Sequence, residues 1–236
     1  MTDEHTNHEH LVEALNDETT LSAYKATCAA YHPHLIPRLL AGLFIWCGNI
    51  VYGRDPSYQK FRAIEVIARV PYHSWSSAAF TLLTLFYKDE ERALRLSSNV
   101  RFAEFASENE TMHVVVMSQL AQAHQVAGFF RYTLIPALFS FVYFWESYLL
   151  YLVNARWALE IKYIFETHAF DQYAQFLTTN DNELRRCPIT SDYLMWYGRR
   201  PHSEYEFFRS VRNDELVHRG RSIEEITLAR TPLATV

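Results

Sequence analysis

Glu110-Thr111-Met112-His113 and Glu215-Leu216-Val217-His218 are two Glu-x-x-His segments in a chain of 236 residues. Residues three apart on a helix share a face, so each segment sets a carboxylate beside an imidazole, a pair suited to one metal ion. As isolated pairs they are close to the chance rate. Their placement carries more. The first lies in a stretch of helical apolar periodicity over 98–127, and the second in one over 203–230 that opens on the Ser203/Glu206 capping box. Two further stretches of this kind, 56–87 after Pro56 and 157–177 before a Thr/Asn/Asp cluster, each hold a glutamate among apolar neighbours: Glu65 and Glu166.

A Glu from each of two helices with Glu-x-x-His from each of the other two is the ligand pattern of bundle di-iron carboxylate proteins. The intervals Glu65 to Glu110, Glu110 to Glu166 and Glu166 to Glu215 are 45, 56 and 49 residues, each long enough for a helix out and a helix back. The expected fold is therefore all-α, a ferritin-like four-helix bundle, with Glu65, Glu110, His113, Glu166, Glu215 and His218 around two iron ions. Four carboxylates buried together need compensating positive charge, and two divalent ions provide it. The plain alternative for each glutamate is a solvated place on the polar face of an amphipathic helix.

Composition narrows the function. A net charge of −5 without a concentrated basic face argues against nucleic acid as partner. Three scattered cysteines, Cys28, Cys47 and Cys187, suggest neither a disulfide framework nor a zinc site. Residues 1–18 read as a flexible tail, 19–230 as a single domain and 231–236 as a C-terminal tail. The acidic, His-rich opening, unlike a transit or secretory peptide, favours a bacterial protein on the cytoplasmic side of the inner membrane. Stretches 36–52 and 129–153 are aromatic and aliphatic, interrupted by Arg38, Arg131, Pro136 and Glu146. They fit extra helices lying in one membrane leaflet, a monotopic attachment, with buried packing helices as the alternative.

These segments resemble the alternative oxidase family, the membrane-surface quinol oxidases. Phe61 to Pro71 resembles its first ligand helix, Glu108-Asn109-Glu110-Thr111-Met112-His113 its second, Glu166 to Tyr173 its third, and Arg212 to Arg219 its fourth. The resemblance covers about residues 58–220. It implies oxidation of ubiquinol or a related quinol and reduction of dioxygen to water without proton pumping. It also implies Tyr173 as the tyrosine of the oxygen chemistry, Asn109 and Asp214 as supports of the metal ligands, and Lys60, Ile64, His168 and Ala169 near the quinol. A homodimer is a further expectation of the resemblance. The chain departs from the family pattern at Lys60, Thr111, Thr167, His168 and Val217. Lys60, Thr167 and His168 keep open a di-iron oxygenase or hydroxylase for another organic substrate, and a non-catalytic ferritin-like iron binder is the third reading.

Overall fold

The structure is a computed structural model that describes residues 3–124 and 128–228; the segment 231–236 lies outside them. It is all-α, as expected, and no strand occurs among the described residues. The bundle is made by α4 (Tyr58–Ala68) continued by α5 (Val70–Phe86), α6 (Glu90–His124), the second half of α7 (Ile135–Thr179) and α10 (Glu204–Leu228). Short helices α8 (Asp181–Leu184) and α9 (Asp192–Tyr197) connect α7 to α10.

Local chemistry sets the boundaries. Ser57 caps α4 by accepting from the Lys60 N–H at 3.2 Å. The stretch expected as one helix over 56–87 breaks at Arg69, because Pro71 supplies no N–H to continue the ladder and its ring crowds the preceding turn. The acidic run after Tyr87 starts α6. Asp89 accepts from the Arg92 N–H at 3.1 Å, and Glu90 and Glu91 occupy the first turn, where the helix dipole favours anions. Ser203 caps α10 by accepting from the Glu206 N–H at 3.3 Å, while the Glu206 carboxylate reaches back to the His202 N–H at 2.7 Å.

The stretch 129–153 and the third ligand helix are not separate. A π-helical turn, Phe130–Leu134, leads into α7, which runs on past a kink at Asn154 (φ −158°, ψ 91°). Before the kink α7 lies beside α3 (Leu35–Tyr52). Both turn apolar stripes outward at helical spacing: Leu39, Leu43, Trp46 and Ile50 on α3, and Leu138, Phe141, Val142, Trp145 and Leu149 on α7. By length and composition these two helical stretches are apolar enough to cross a membrane.

The flexible tail expected over residues 1–18 is not found for the described part. Asp3–Ala14 form α1, and Glu18–Ala29 form α2, capped by Asp17, which accepts from the Thr20 N–H at 2.8 Å. His8, Val12 and Leu15 are buried against α10, whose residues 211–220 are buried on every side as a result. The Tyr24 hydroxyl lies so close over Gly220 that a Cβ there would collide with it, so α2 approaches α10 only over a glycine.

The connection from α2 to α3 is tied down by Glu160 of α7, which is fully buried. It accepts from the Tyr31 hydroxyl, the His34 N–H at 2.9 Å and Arg156 Nε at 2.9 Å. Burial works to raise its pKa, but these donors outweigh it and hold the carboxyl below its usual value. A depressed folded pKa contributes stability above the unfolded carboxylate range, and that stability is lost as pH falls through the folded value. The difference in melting temperature between wild type and Glu160→Gln is therefore expected at neutral pH and should shrink below about pH 5. A difference that stays constant down to pH 3 would sink this assignment.

Candidate metal centre

The buried stripe of α6 reads Ala103, Ala106, Glu110, His113, Met117, Leu120, alternating steps of three and four. Glu110 and His113 thus continue the apolar face instead of interrupting it, and the solvated alternative fails for them. On α10 the stripe is Phe208, Val211, Glu215, His218, Ser222; on α7 it holds Leu159, Glu166 and Tyr173; on α4 it holds Phe61 and Glu65. All six candidate ligands are at most 2% exposed.

They meet at one level of the bundle. Glu65, Glu110, His113 and Glu215 present donor atoms within 4.8 Å of one another, and so do Glu110, Glu166, Glu215 and His218. The two sets share Glu110 and Glu215, the arrangement that two bridging carboxylates give to a pair of ions. Apolar layers lie on both sides, Phe61, Met112, Val116 and Phe208 on one and Tyr72, Phe102, Ala106 and Ala158 on the other. Water is largely kept out.

The donor atoms fit a pair of cations. Glu65 Oε2, Glu110 Oε2, His113 Nδ1 and both ring nitrogens of His218 are buried without a hydrogen-bond partner. Such orphans are costly unless something positive fills the space between them. Burial, and then the neighbouring Glu166 and Glu110 carboxylates, push Glu215 well up. Burial likewise raises Glu65. Added positive charge between these carboxylates would stabilise their ionised forms. Carboxylate and imidazole donors without thiolate suit iron or manganese.

Around the ligands, Asp214 accepts from His113 Nε2 at 2.9 Å, which turns His113 Nδ1 toward the ligand set. Asp214 is also bonded to His8 Nε2 at 2.7 Å and to Arg199, and Arg199 reaches Glu9 of α1 through two bonds of 2.8 Å. Burial opposes the charge on Asp214, yet Arg199 holds its carboxyl well below the usual range. Asn109 donates to the Tyr197 hydroxyl at 2.9 Å. The Tyr173 hydroxyl donates to Glu65, and burial followed by that carboxylate raises its pKa well above normal, so the phenol keeps its proton.

Beside the ligands lies a cavity of about 130 Å³, some ten times the space one water needs. Lys60, Ile64, His168 and Ala169 all line it, as do Glu65, Glu166 and Tyr173. Its outer wall comes from the two apolar-striped helices, through Phe44 and Asn49 of α3 and Phe139 and Tyr143 of α7. Lys60 Nζ donates to Gln172 Oε1 at 2.7 Å and to the Arg54 carbonyl at 2.9 Å, which leaves a small polar group in an otherwise apolar wall.

Sequence reasoning missed Lys162, Arg199, His8 and Gln172. For Lys162 a signal existed, since a lysine four residues before Glu166 inside an apolar run is an ion pair in waiting. For Arg199 and His8 none did. Their partners are far away in the chain.

A helical bundle whose four main segments converge on two Glu-x-x-His pairs and two more glutamates defines the class, and the family comparison agrees: residues 9–224 match the alternative oxidase model, so the chain belongs to the alternative oxidase family. It is 29% identical over 185 residues to ubiquinol oxidase 4, chloroplastic/chromoplastic, of Arabidopsis thaliana, an alignment covering 70% of this chain. The chain spans about half the length, 50%, of that curated relative. No solved structure shows significant similarity to it.

Proposed function

We propose that the protein is a di-iron quinol oxidase that transfers electrons from ubiquinol or a related quinol to dioxygen. The observation that carries this reading is the ligand-sized apolar cavity built directly against Glu65, Glu166 and Tyr173, since a protein that only stores iron has no use for it. The stoichiometry is two quinols and one dioxygen giving two quinones and two waters, so four electrons and four protons balance within the reaction.

When bound, two irons supply the redox chemistry for dioxygen. Glu65, Glu110, His113, Glu166, Glu215 and His218 would hold them, with Glu110 and Glu215 shared. Asp214 orients His113. In the cavity, Phe44, Ile64 and Phe165 would embrace the ring of a quinol, with Lys60, Gln172 and His168 offering polar contacts to its oxygens. Tyr173, at van der Waals distance from Phe61 with ring centroids 4.1 Å apart, keeps its proton on Oη toward Glu65 and can yield proton and electron together.

The outward stripes of α3 and α7 support attachment to one leaflet; the cytoplasmic side of a bacterial inner membrane is our proposal for its place. α3 packs along α7, and α7 continues past Asn154 into the bundle, which favours helices lying along the membrane surface. A monotopic attachment gives no transmembrane path, and hence no proton pumping.

The test is iron content and quinol-dependent oxygen uptake of detergent-purified protein. About two irons per chain and uptake that requires quinol are expected. Tyr173→Phe should retain the iron and lose uptake by about 10²-fold or more, the scale of removing a positioned proton donor. Two irons without quinol-dependent uptake would favour the hydroxylase reading, and unchanged uptake in the variant would remove Tyr173 from the chemistry.

A further inference from the structure

The two ligand sets share Glu110 and Glu215 but differ in their surroundings. In the set completed by Glu65 and His113, the imidazole is bonded through Nε2 to the Asp214 carboxylate at 2.9 Å. A carboxylate behind a ligating histidine raises its basicity and tightens the metal. His218, in the other set, has no hydrogen-bond partner at either nitrogen.

A buried cation deepens the difference. Lys162 Nζ touches Glu166 Oε1, lies 3.2 Å from Glu110 Oε1, donates to the Ala68 carbonyl at 3.1 Å and sits 4.6 Å from the centre of the Tyr72 ring. That carbonyl belongs to the last turn of α4, beside the break at Arg69. The contact with Glu110 is selective. Oε1, the atom that Lys162 holds, is the oxygen 3.5 Å from His218 Nδ1, whereas Oε2 is the one 3.5 Å from His113 Nδ1. Among the described residues no lysine or arginine makes an ion pair with Glu65 or Glu215. Lys162 therefore competes with one ion and not with the other.

We infer that the two metal positions are unequal: the Glu65/His113 position fills first and tightly, the Glu166/His218 position second and weakly, and Lys162 sets the gap. The inference rests on the di-iron reading. In the metal-free chain the same ammonium serves as a partial counter-charge that keeps Glu110 and Glu166 together.

The experiment titrates metal-free, detergent-purified protein with Mn²⁺, following heat of binding and electron paramagnetic resonance. The wild type should bind two ions in separate steps whose affinities differ by at least about tenfold. The first equivalent should give the signal of isolated ions, and the spin-coupled signal of a pair should grow only with the second. Lys162→Met removes the charge at similar volume and should tighten the second step at least about tenfold, with coupled signal from the first additions. Lys162→Arg, which keeps the charge, should keep two steps. A coupled signal dominating the wild type at one equivalent overturns the inference without any variant, so a poorly folded Lys162→Met protein does not protect it. Unchanged constants in a folded Lys162→Met protein overturn it as well. A wild type that binds no Mn²⁺ is a different result, which takes down the metal centre itself and this inference with it.

Discussion

Glu110→Ala is expected to empty both metal positions together, leaving less than about a tenth of the wild-type iron and no measurable quinol-dependent oxygen uptake. Glu110 belongs to both ligand sets, with one oxygen toward each. Losing a terminal ligand such as Glu65 removes one donor from one ion, but losing a shared one removes a donor from both and releases the charge balance of the whole layer. Burial opposes charge on Glu110, yet Lys162 and the nearby His113 and His218 imidazoles more than offset it, so its carboxyl sits well below the normal range. Metal analysis of Glu110→Ala beside Glu65→Ala separates the cases. If Glu110→Ala retains iron as well as Glu65→Ala does, Glu110 is not shared between two ions.

The largest loss of stability is expected from Asp214→Ala, at about 3–5 kcal/mol, the usual cost of removing one partner of a buried ion pair. Asp214 is fully buried and joins three elements: His8 of α1, His113 of α6, and Arg199 between α9 and α10. The alanine variant strands the Arg199 guanidinium, only 6% exposed, with Glu9 as its remaining carboxylate. For a chain of this size that corresponds to a fall in melting temperature of roughly 10 °C. His113 also loses its orienting partner, so metal affinity should fall by about 10- to 100-fold. Calorimetry with and without iron measures both effects. A variant that melts within about 2 °C of wild type would show that α1 and Arg199 do not depend on this carboxylate.

The six candidate ligands were legible because helical spacing is local: Glu110 and His113, or Glu215 and His218, are neighbours on any helix that contains them. Glu65 and Glu166 were legible because a charged residue inside an apolar run signals a special environment. The supporting residues were not. His8 lies in an acidic, His-rich segment that hydropathy assigns to solvent, and it is buried because Asp214, 206 positions later, accepts its hydrogen bond at 2.7 Å. Hydropathy measures transfer of a side chain alone, and a polar group matched to a buried polar partner escapes it. The same holds for Glu9 and Arg199, which is why hydropathy alone makes α1 read as a tail. The break at Arg69 could have been anticipated from Pro71, but the union of the apolar stretch 129–153 with the third ligand helix could not, since a kink at Asn154 has no obligatory sequence signal.

By itself, then, the sequence determined an all-α bundle and the carboxylate and imidazole donors of its candidate centre, because helix periodicity, caps and i to i+3 pairing act over a few residues. Only the tertiary structure decided which oxygens of Glu110 and Glu166 are held by Lys162, how Asp214 gathers α1, α6 and Arg199, and that α3 and α7 wall the cavity. Those features depend on where chains packed from distant positions place single atoms within a few ångströms, and Coulomb and desolvation energies change steeply over that distance.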